Sequence, residues 1–285
     1  MESFDLIKIT IDSNCYSKGR NTSKISAIIL HSFGQNLEEI IPIFQENEVS
    51  AHYLIPQMTA KDFVDLLPNF CTKLQIPFPI INLNYPDQVP VIQLVEDEDR
   101  AYHAGISNFG DFHQDPNSSK SLNPISLGIE FQSLGYGKEG KDFYHFSNFS
   151  EGQKETGIKL IKFLVEKYFI HPKNILAHST IAVGRKTDPG PNFFWQDLYE
   201  AGLISLPPNY DKGQIIENPS KETIALIQKK LQNIGFINCL ETGLLDKITQ
   251  DTIDAYLLQF ASNLWEGPNN DLSEGFLASL DAFAN

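Results

Sequence analysis

The chain reads as an α/β protein with a small all-helical unit behind it. Three patterns predict this. Short, nearly continuous apolar runs rich in β-branched residues recur at 24–30, 89–95 and 125–131, as in strands covered on both faces. Stretches with apolar residues at helical spacing lie between and after them, clearest over 150–168. Past a segment of linker composition at 206–220, with Pro207-Pro208 and Asn218-Pro219, residues 221–265 carry two further helical patterns around a turn. The expected organisation is a main domain over 1–205, a linker, a small helical domain over 221–265 and an acidic tail over 266–285. With 285 residues, 41% of them hydrophobic, there is material for one large core and one small one, or for a single large one.

In chain order, the run at 24–30 is the first buried strand, and it delivers His31 and Gly34 to the edge where a cleft opens in sheets of this class. A core histidine bonded to a neighbouring loop is the plainer alternative for that residue alone. Residues 36–45 look helical through Leu37, Ile40 and Ile41, while Pro42 argues against a continuous helix. The second strand is 50–55 and its partner 89–95. Their separation excludes a tight hairpin, so 58–87 reads as an inserted lobe, with helical pieces either side of Pro68. Glu96-Asp97-Glu98-Asp99 reads as a solvated turn.

Residues 105–123 form a polar loop of a length found mainly where a site is lined. In the strand at 125–131, Glu130 interrupts an apolar alternation. A buried acid needs a partner, and a metal-activated water would be one; an edge glutamate facing water is the alternative. A helix over 150–168 starts at a Ser150 cap. A short apolar run, 175–177, leads into His178, and 193–201 is a further helix burying Trp195 and Leu198. In the small domain, Ile224, Ile227 and Leu231 define one helix and Ile253, Tyr256, Leu257 and Phe260 the other; so small a core is expected to lean on the main domain. The tail ends in a weakly amphipathic stretch.

With 22 basic against 36 acidic side chains the net charge is -14, which excludes nucleic acid held by counterion release as a partner. No apolar run reaches the roughly 18 residues of a membrane span. Met1-Glu2-Ser3-Phe4-Asp5 shows no export signal, which points to the cytoplasm or to a signal already removed. Cys15, Cys71 and Cys239 have no C-x-x-C spacing, so they are expected as small buried hydrophobes rather than a disulfide framework or thiolate cage.

The chemistry gathers around 177–191, where His178 and Asp188 flank a loop with two glycines and two prolines. Asp188 precedes Pro189, which biases it away from helix and keeps its carboxylate in one direction. This suits a non-helical path that brings two ligands onto one ion. His31, His178 and Asp188 then offer two neutral imidazoles and a carboxylate, the three-ligand set that leaves a catalytic zinc one open position. The same set can hold ferrous iron in an oxygenase. Lys186 would bring a cation to the same mouth, and Glu130 would be the base.

The stretch from His178 to Pro191, together with Ile28-Ile29-Leu30-His31, Ser50-Ala51-His52-Tyr53-Leu54-Ile55, Ala101-Tyr102-His103-Ala104-Gly105 and Leu127-Gly128-Ile129-Glu130, resembles the zinc-dependent N-acetylmuramoyl-L-alanine amidases of the AmpD/AmiD type. These are relatives of phage amidase lysozymes and peptidoglycan recognition proteins. The likeness covers roughly residues 20 to 200. More loosely, Ile227 to Gln232, Gly235-Phe236 and 243–255 resemble a three-helix peptidoglycan-binding domain. The resemblance implies a mixed central sheet flanked by helices and one Zn2+ per chain on His31, His178 and Asp188. It further implies Glu130 as base, Lys186 as oxyanion stabiliser, and His103 and Arg185 toward the substrate. The implied activity is hydrolysis of the amide joining muramic acid, with or without a 1,6-anhydro ring, to the L-alanine of the stem peptide. Peptidoglycan or muropeptides are then the partners and the cell envelope the place of action, with the cytoplasm as alternative. A peptidoglycan-binding protein without catalysis is the competing reading. Two features depart from the pattern: Ala51 stands where some relatives carry a catalytic tyrosine, and the 58–87 insertion replaces a short hairpin. His52 is expected to be structural.

Overall fold

The structure is a computed structural model that describes residues 4–9, 13–46, 49–114, 120–134, 137–139 and 143–284. In chain order the strands are β1 (Leu6–Lys8), β2 (Tyr16–Ser17), β3 (Ala27–Phe33), β4 (Tyr53–Ile55), β5 (Val91–Gln93), β6 (Arg100–Ala101), β7 (Ser126–Gln132), β8 (Gly137–Glu139), β9 (Phe143–His145) and β10 (Ile175–Ala177). The helices are α1 (Leu37–Glu46), α2 (Ala60–Leu74), α3 (Glu151–Tyr168), α4 (His178–Ile181), α5 (Trp195–Glu200), α6 (Lys221–Ile234), α7 (Lys247–Phe260) and α8 (Glu274–Phe283). The central sheet has the order β1-β5-β4-β7-β3-β10. It is mixed, because β4 pairs antiparallel with β5 while its other pairings are parallel. Among the described residues no helix is long and apolar enough to cross a membrane.

The pleat sends alternate residues to opposite faces. On one face, Ile28 and Leu30 of β3 with Leu127, Ile129 and Phe131 of β7 pack under α3 and α5. The other face is covered in two halves. Ala27 and Ile29 meet residues of α6, α7 and α8, whereas Phe33 and Leu54 meet α1 and α2. The seam between those halves stays open, and His31 lies in it.

Several elements differ from the sequence reading. The helix α1 runs unbroken through Pro42, because the Glu38 carbonyl that Pro42 cannot serve accepts from Lys73 Nζ at 3.3 Å instead. One helix, α2, likewise spans Pro68; burial of Phe63, Leu67 and Phe70 outweighs the missing hydrogen bond. Asp97 is not in a solvated turn but fully buried, accepting from Tyr53 Oη at 2.5 Å, Tyr168 Oη at 2.6 Å and Lys167 Nζ at 2.9 Å. The path from His178 begins with a helical turn, α4. The end of the acidic tail forms α8, which buries Phe276 and Leu280 beside α7. Of the polar loop at 105–123, residues 115–119 lie outside the described residues. The Ser150 cap is present, in reciprocal form with Gln153.

Candidate metal centre

β3 and β7 run parallel in register, with His31 opposite Glu130, Ile29 opposite Gly128 and Ala27 opposite Ser126. These residues therefore share the face that carries the open seam. β10 lies along the other side of β3 and ends at Ala177, which places His178 beside His31. The loop that follows closes on itself, since Ser179 N–H donates to the Asp188 carbonyl at 3.0 Å. Beyond the cis Asp188-Pro189 peptide, Trp195 Nε1–H donates to the Gly190 carbonyl at 3.0 Å and holds the turn.

His31, His178 and Asp188 converge as a buried cluster. His31 Nδ1 is 2.9 Å from His178 Nδ1, His178 Nδ1 is 3.0 Å from Asp188 Oδ2, and His31 Nδ1 is 3.4 Å from the same oxygen. Ligands about 2.0–2.1 Å from one tetrahedral zinc lie roughly 3.3 Å apart, so this triangle fits such an ion with small adjustment. The charge states fit as well. Burial and the neighbouring His178 push His31 down to about 4, keeping it a neutral imidazole. Burial would raise the Asp188 carboxyl, but His178 and His31 outweigh it and hold the group below the usual carboxylate range.

Around this triangle the other expected residues fall into distinct places. Glu130 faces the same cavity, and its Oε2 is buried with no hydrogen-bond partner among the described residues. Burial and the Asp188 charge push it up to about 8, against the pull of Lys186. Lys186, Arg185 and Thr187 line one wall of that cavity, and Phe33, Ile40 and Phe44 the other; its volume is about 610 Å³. Arg185 is tied down by its Nη2, which donates to the carbonyls of Ala104 at 2.9 Å and Ile106 at 2.8 Å. His103 also borders the cavity, yet both its nitrogens are engaged behind the site: Nδ1 lies 3.0 Å from His31 Nε2 and Nε2 lies 3.2 Å from Ser126 Oγ. Gly128 makes this possible, since a Cβ there would come within 2.5 Å of the His103 ring. His52 is buried and accepts from the Gly128 N–H at 3.0 Å, a bond within the fold.

Sequence reasoning missed Gln259. This fully buried side chain on α7 accepts from Ala177 N–H at 2.8 Å and Thr180 Oγ1 at 2.6 Å, and donates to the Ile175 carbonyl at 3.1 Å. It clamps the residues on both sides of His178. A glutamine inside the apolar run Leu257-Leu258-Gln259-Phe260 was the available signal, because a buried amide must have partners.

Residues 21–191 match the profile of a family described as N-acetylmuramoyl-L-alanine amidase. The chain is 29% identical over 184 residues to the N-acetylmuramoyl-L-alanine amidase AmiD of Escherichia coli (strain K12), covering 65% of this chain and 55% of that protein. It is 34% identical over 109 residues to the 1,6-anhydro-N-acetylmuramyl-L-alanine amidase AmpD of Enterobacter cloacae, covering 38% of this chain and 49% of that one. The matches thus span about half the length of these relatives. In fold, the chain is similar to the E. coli AmiD structure solved with anhydro-N-acetylmuramic acid-L-Ala-D-gamma-Glu-L-Lys, with a TM-score of 0.67, 23% identity, and coverage of 92% of this chain and 90% of that one.

Proposed function

Because the chain belongs to the N-acetylmuramoyl-L-alanine amidase family over residues 21–191, we propose that it hydrolyses the amide between the lactyl group of N-acetylmuramic acid and the L-alanine of a stem peptide. The observation that carries this reading is the His31, His178 and Asp188 triangle beside the half-buried Glu130, with His178, Asp188 and Glu130 lining one cavity. Those three side chains would hold one zinc ion per chain. When bound, zinc supplies a Lewis acid and a means of ionising water near neutral pH. Glu130 takes the proton of the attacking water and, now an acid, returns it to the departing amine. The raised affinity of Glu130 for a proton suits the second half of that exchange, in which it acts as the acid.

Lys186 opposes the charge that develops on the carbonyl oxygen, from a position on the cavity wall. Arg185, fixed by the carbonyls of Ala104 and Ile106, shapes the substrate side of the same wall. His103 meets the substrate only through the carbon edge of its ring, its nitrogens holding His31 and Ser126. The ligand in the AmiD complex and the name of the AmpD relative support anhydromuramoyl peptides among the substrates, in peptidoglycan turnover or recycling. Residues 221–265 are read as a peptidoglycan-binding unit, which favours work at the cell envelope over the cytoplasm.

The test is mass analysis of muropeptides incubated with the zinc-loaded chain. Free stem peptide and free muramoyl sugar are expected, and a chelator should abolish both. Unchanged muropeptide that nonetheless binds would establish the non-catalytic reading instead.

A further inference from the structure

Tyr102 borders the candidate active-site cavity with Glu130, His178 and Lys186, and the mechanism above gives it no part. Its backbone is fixed just after β6: the N–H donates to Ser50 Oγ at 2.9 Å, and the carbonyl accepts from Ser50 N–H at 3.2 Å. The half-buried phenol is tied at its oxygen to Ser17 Oγ of β2. Behind Ser17 stands Arg100, the residue opposite it in the β2–β6 pair, whose Nη2 donates to Ser17 Oγ at 2.9 Å. The Arg100 guanidinium lies 5.8 Å from the centre of the Tyr102 ring, and its buried Nε has no hydrogen-bond partner among the described residues. Two nearby acids in the chain are paired elsewhere, Asp97 with Lys167 at 2.9 Å and Asp99 with Lys18 at 2.7 Å.

We propose that Tyr102 is a specificity-determining donor that recognises a carboxylate of the stem peptide, with Ser17 and Arg100 as the positioning residues behind it. The count of protons leads there. Ser17 and Tyr102 each carry one hydroxyl proton, and the bond between them uses only one. Neither hydroxyl has a further acceptor among the described residues. When Ser17 donates to Tyr102, the phenol proton is left for an acceptor in the cavity. That direction makes Arg100, Ser17 and Tyr102 successive donors, each polarising the next away from the guanidinium. An anion at the far end holds the chain in this direction, because the bonding is then charge-assisted from both ends. A neutral carbonyl has no such hold. The inference rests on the amidase reading above and adds to it a preference for stem peptides that keep a free carboxylate.

Three substrates test this with the full zinc-loaded chain: N-acetylmuramoyl-L-Ala-γ-D-Glu-L-Lys, the same peptide with the glutamate α-carboxylate as a carboxamide, and the same peptide with the terminal carboxylate as a carboxamide. One of the two amidations should lower kcat/KM about tenfold, mostly through KM, and so identify which carboxylate is met. Tyr102→Phe should bring carboxylate and carboxamide substrates to within about twofold of each other. A preference carried by Lys186 instead would survive that change. Ser17→Ala and Arg100→Met keep the phenol but cut the chain behind it, and each should shrink the preference about threefold or more; a tyrosine that only packs would answer to neither. Calorimetry with the three free tripeptides needs no cleavage. There the Kd should weaken about tenfold on the same amidation and stay level across the peptides in Tyr102→Phe. The proposal is overturned if neither amidation matters, if Tyr102→Phe keeps the preference, or if both chain-cutting variants leave it whole. Should no muramoyl peptide be cleaved while calorimetry keeps the carboxylate dependence, the amidase reading falls and the role of Tyr102 stands.

Discussion

Glu130 and His103 show how two titratable side chains on one sheet face divide the labour. His103 is buried and Glu130 half-buried, but Glu130 leaves its Oε2 without a hydrogen-bond partner among the described residues while His103 turns both nitrogens to protein partners. Glu130→Gln preserves shape and removes the proton carrier. Turnover should fall by about 10²–10⁴-fold, with zinc content by elemental analysis unchanged; a Gln variant with full activity removes Glu130 from this role. For His103, tautomers are inferred from the bonding network. If His31 presents Nδ1 to the ion, its Nε2–H donates to His103 Nδ1, His103 Nε2–H donates to Ser126 Oγ, and the Ser126 hydroxyl donates to the Leu122 carbonyl at 2.7 Å. Such outer partners orient a ligand and raise its basicity. His103→Ala should therefore weaken zinc binding about 10–100-fold in chelator competition, and an unaltered affinity would show that His31 needs no such support.

At the level of elements, the ligand-bearing segment from β10 into α4 is gripped by a helix about 80 residues further along the chain. Gln259 of α7 satisfies two donors and one acceptor there, all buried. Gln259→Leu keeps the volume but orphans those groups, each costing roughly 1–3 kcal/mol. A loss of about 3 kcal/mol in urea unfolding is expected, together with weaker zinc binding because His178 loses its frame. Equal stability of the Leu variant would mean that the segment holds its shape unaided. The same physics explains why the two prolines inside helices mislead a sequence reader. Pro42 and Pro68 sit on helices whose apolar faces bury Ile41, Phe44, Phe63 and Phe70, and a partner from another helix makes good what Pro42 removes.

For the whole molecule, the sheet's seam and the charge network behind it set the working conditions. Asp97 ties β4 and α3 together through Tyr53, Tyr168 and Lys167. Burial pushes its carboxyl up, but the hydrogen bonds from Tyr168, Tyr53 and Lys167 outweigh that and leave it below the ordinary 3.8. A group whose proton affinity is lower folded than unfolded stabilises the fold above the unfolded value and loses that contribution as pH falls through the folded one. Urea midpoints should thus drop steeply below about pH 4, and Asp97→Asn should be less stable at pH 7 with a flatter acid limb. A variant whose acid limb matches the unmodified chain would assign the drop to other carboxylates.

What could be read from the sequence was local and chemical. β-Branched runs marked β3 and β7, the Ser150 cap marked α3, and the residue types around His178 and Asp188 marked a set of metal ligands, because strand pattern, capping and ligand preference depend on a few neighbouring residues. The mixed sheet came with a family likeness rather than from periodicity, which is blind to strand order. Three things needed the tertiary structure. The register of β3 against β7 put Glu130 opposite His31, the burial of Asp97 depended on partners from β4 and α3, and the seam exists only because two groups of helices cover one sheet face unequally. Each joins residues distant in the chain, and no local pattern encodes which of them will meet.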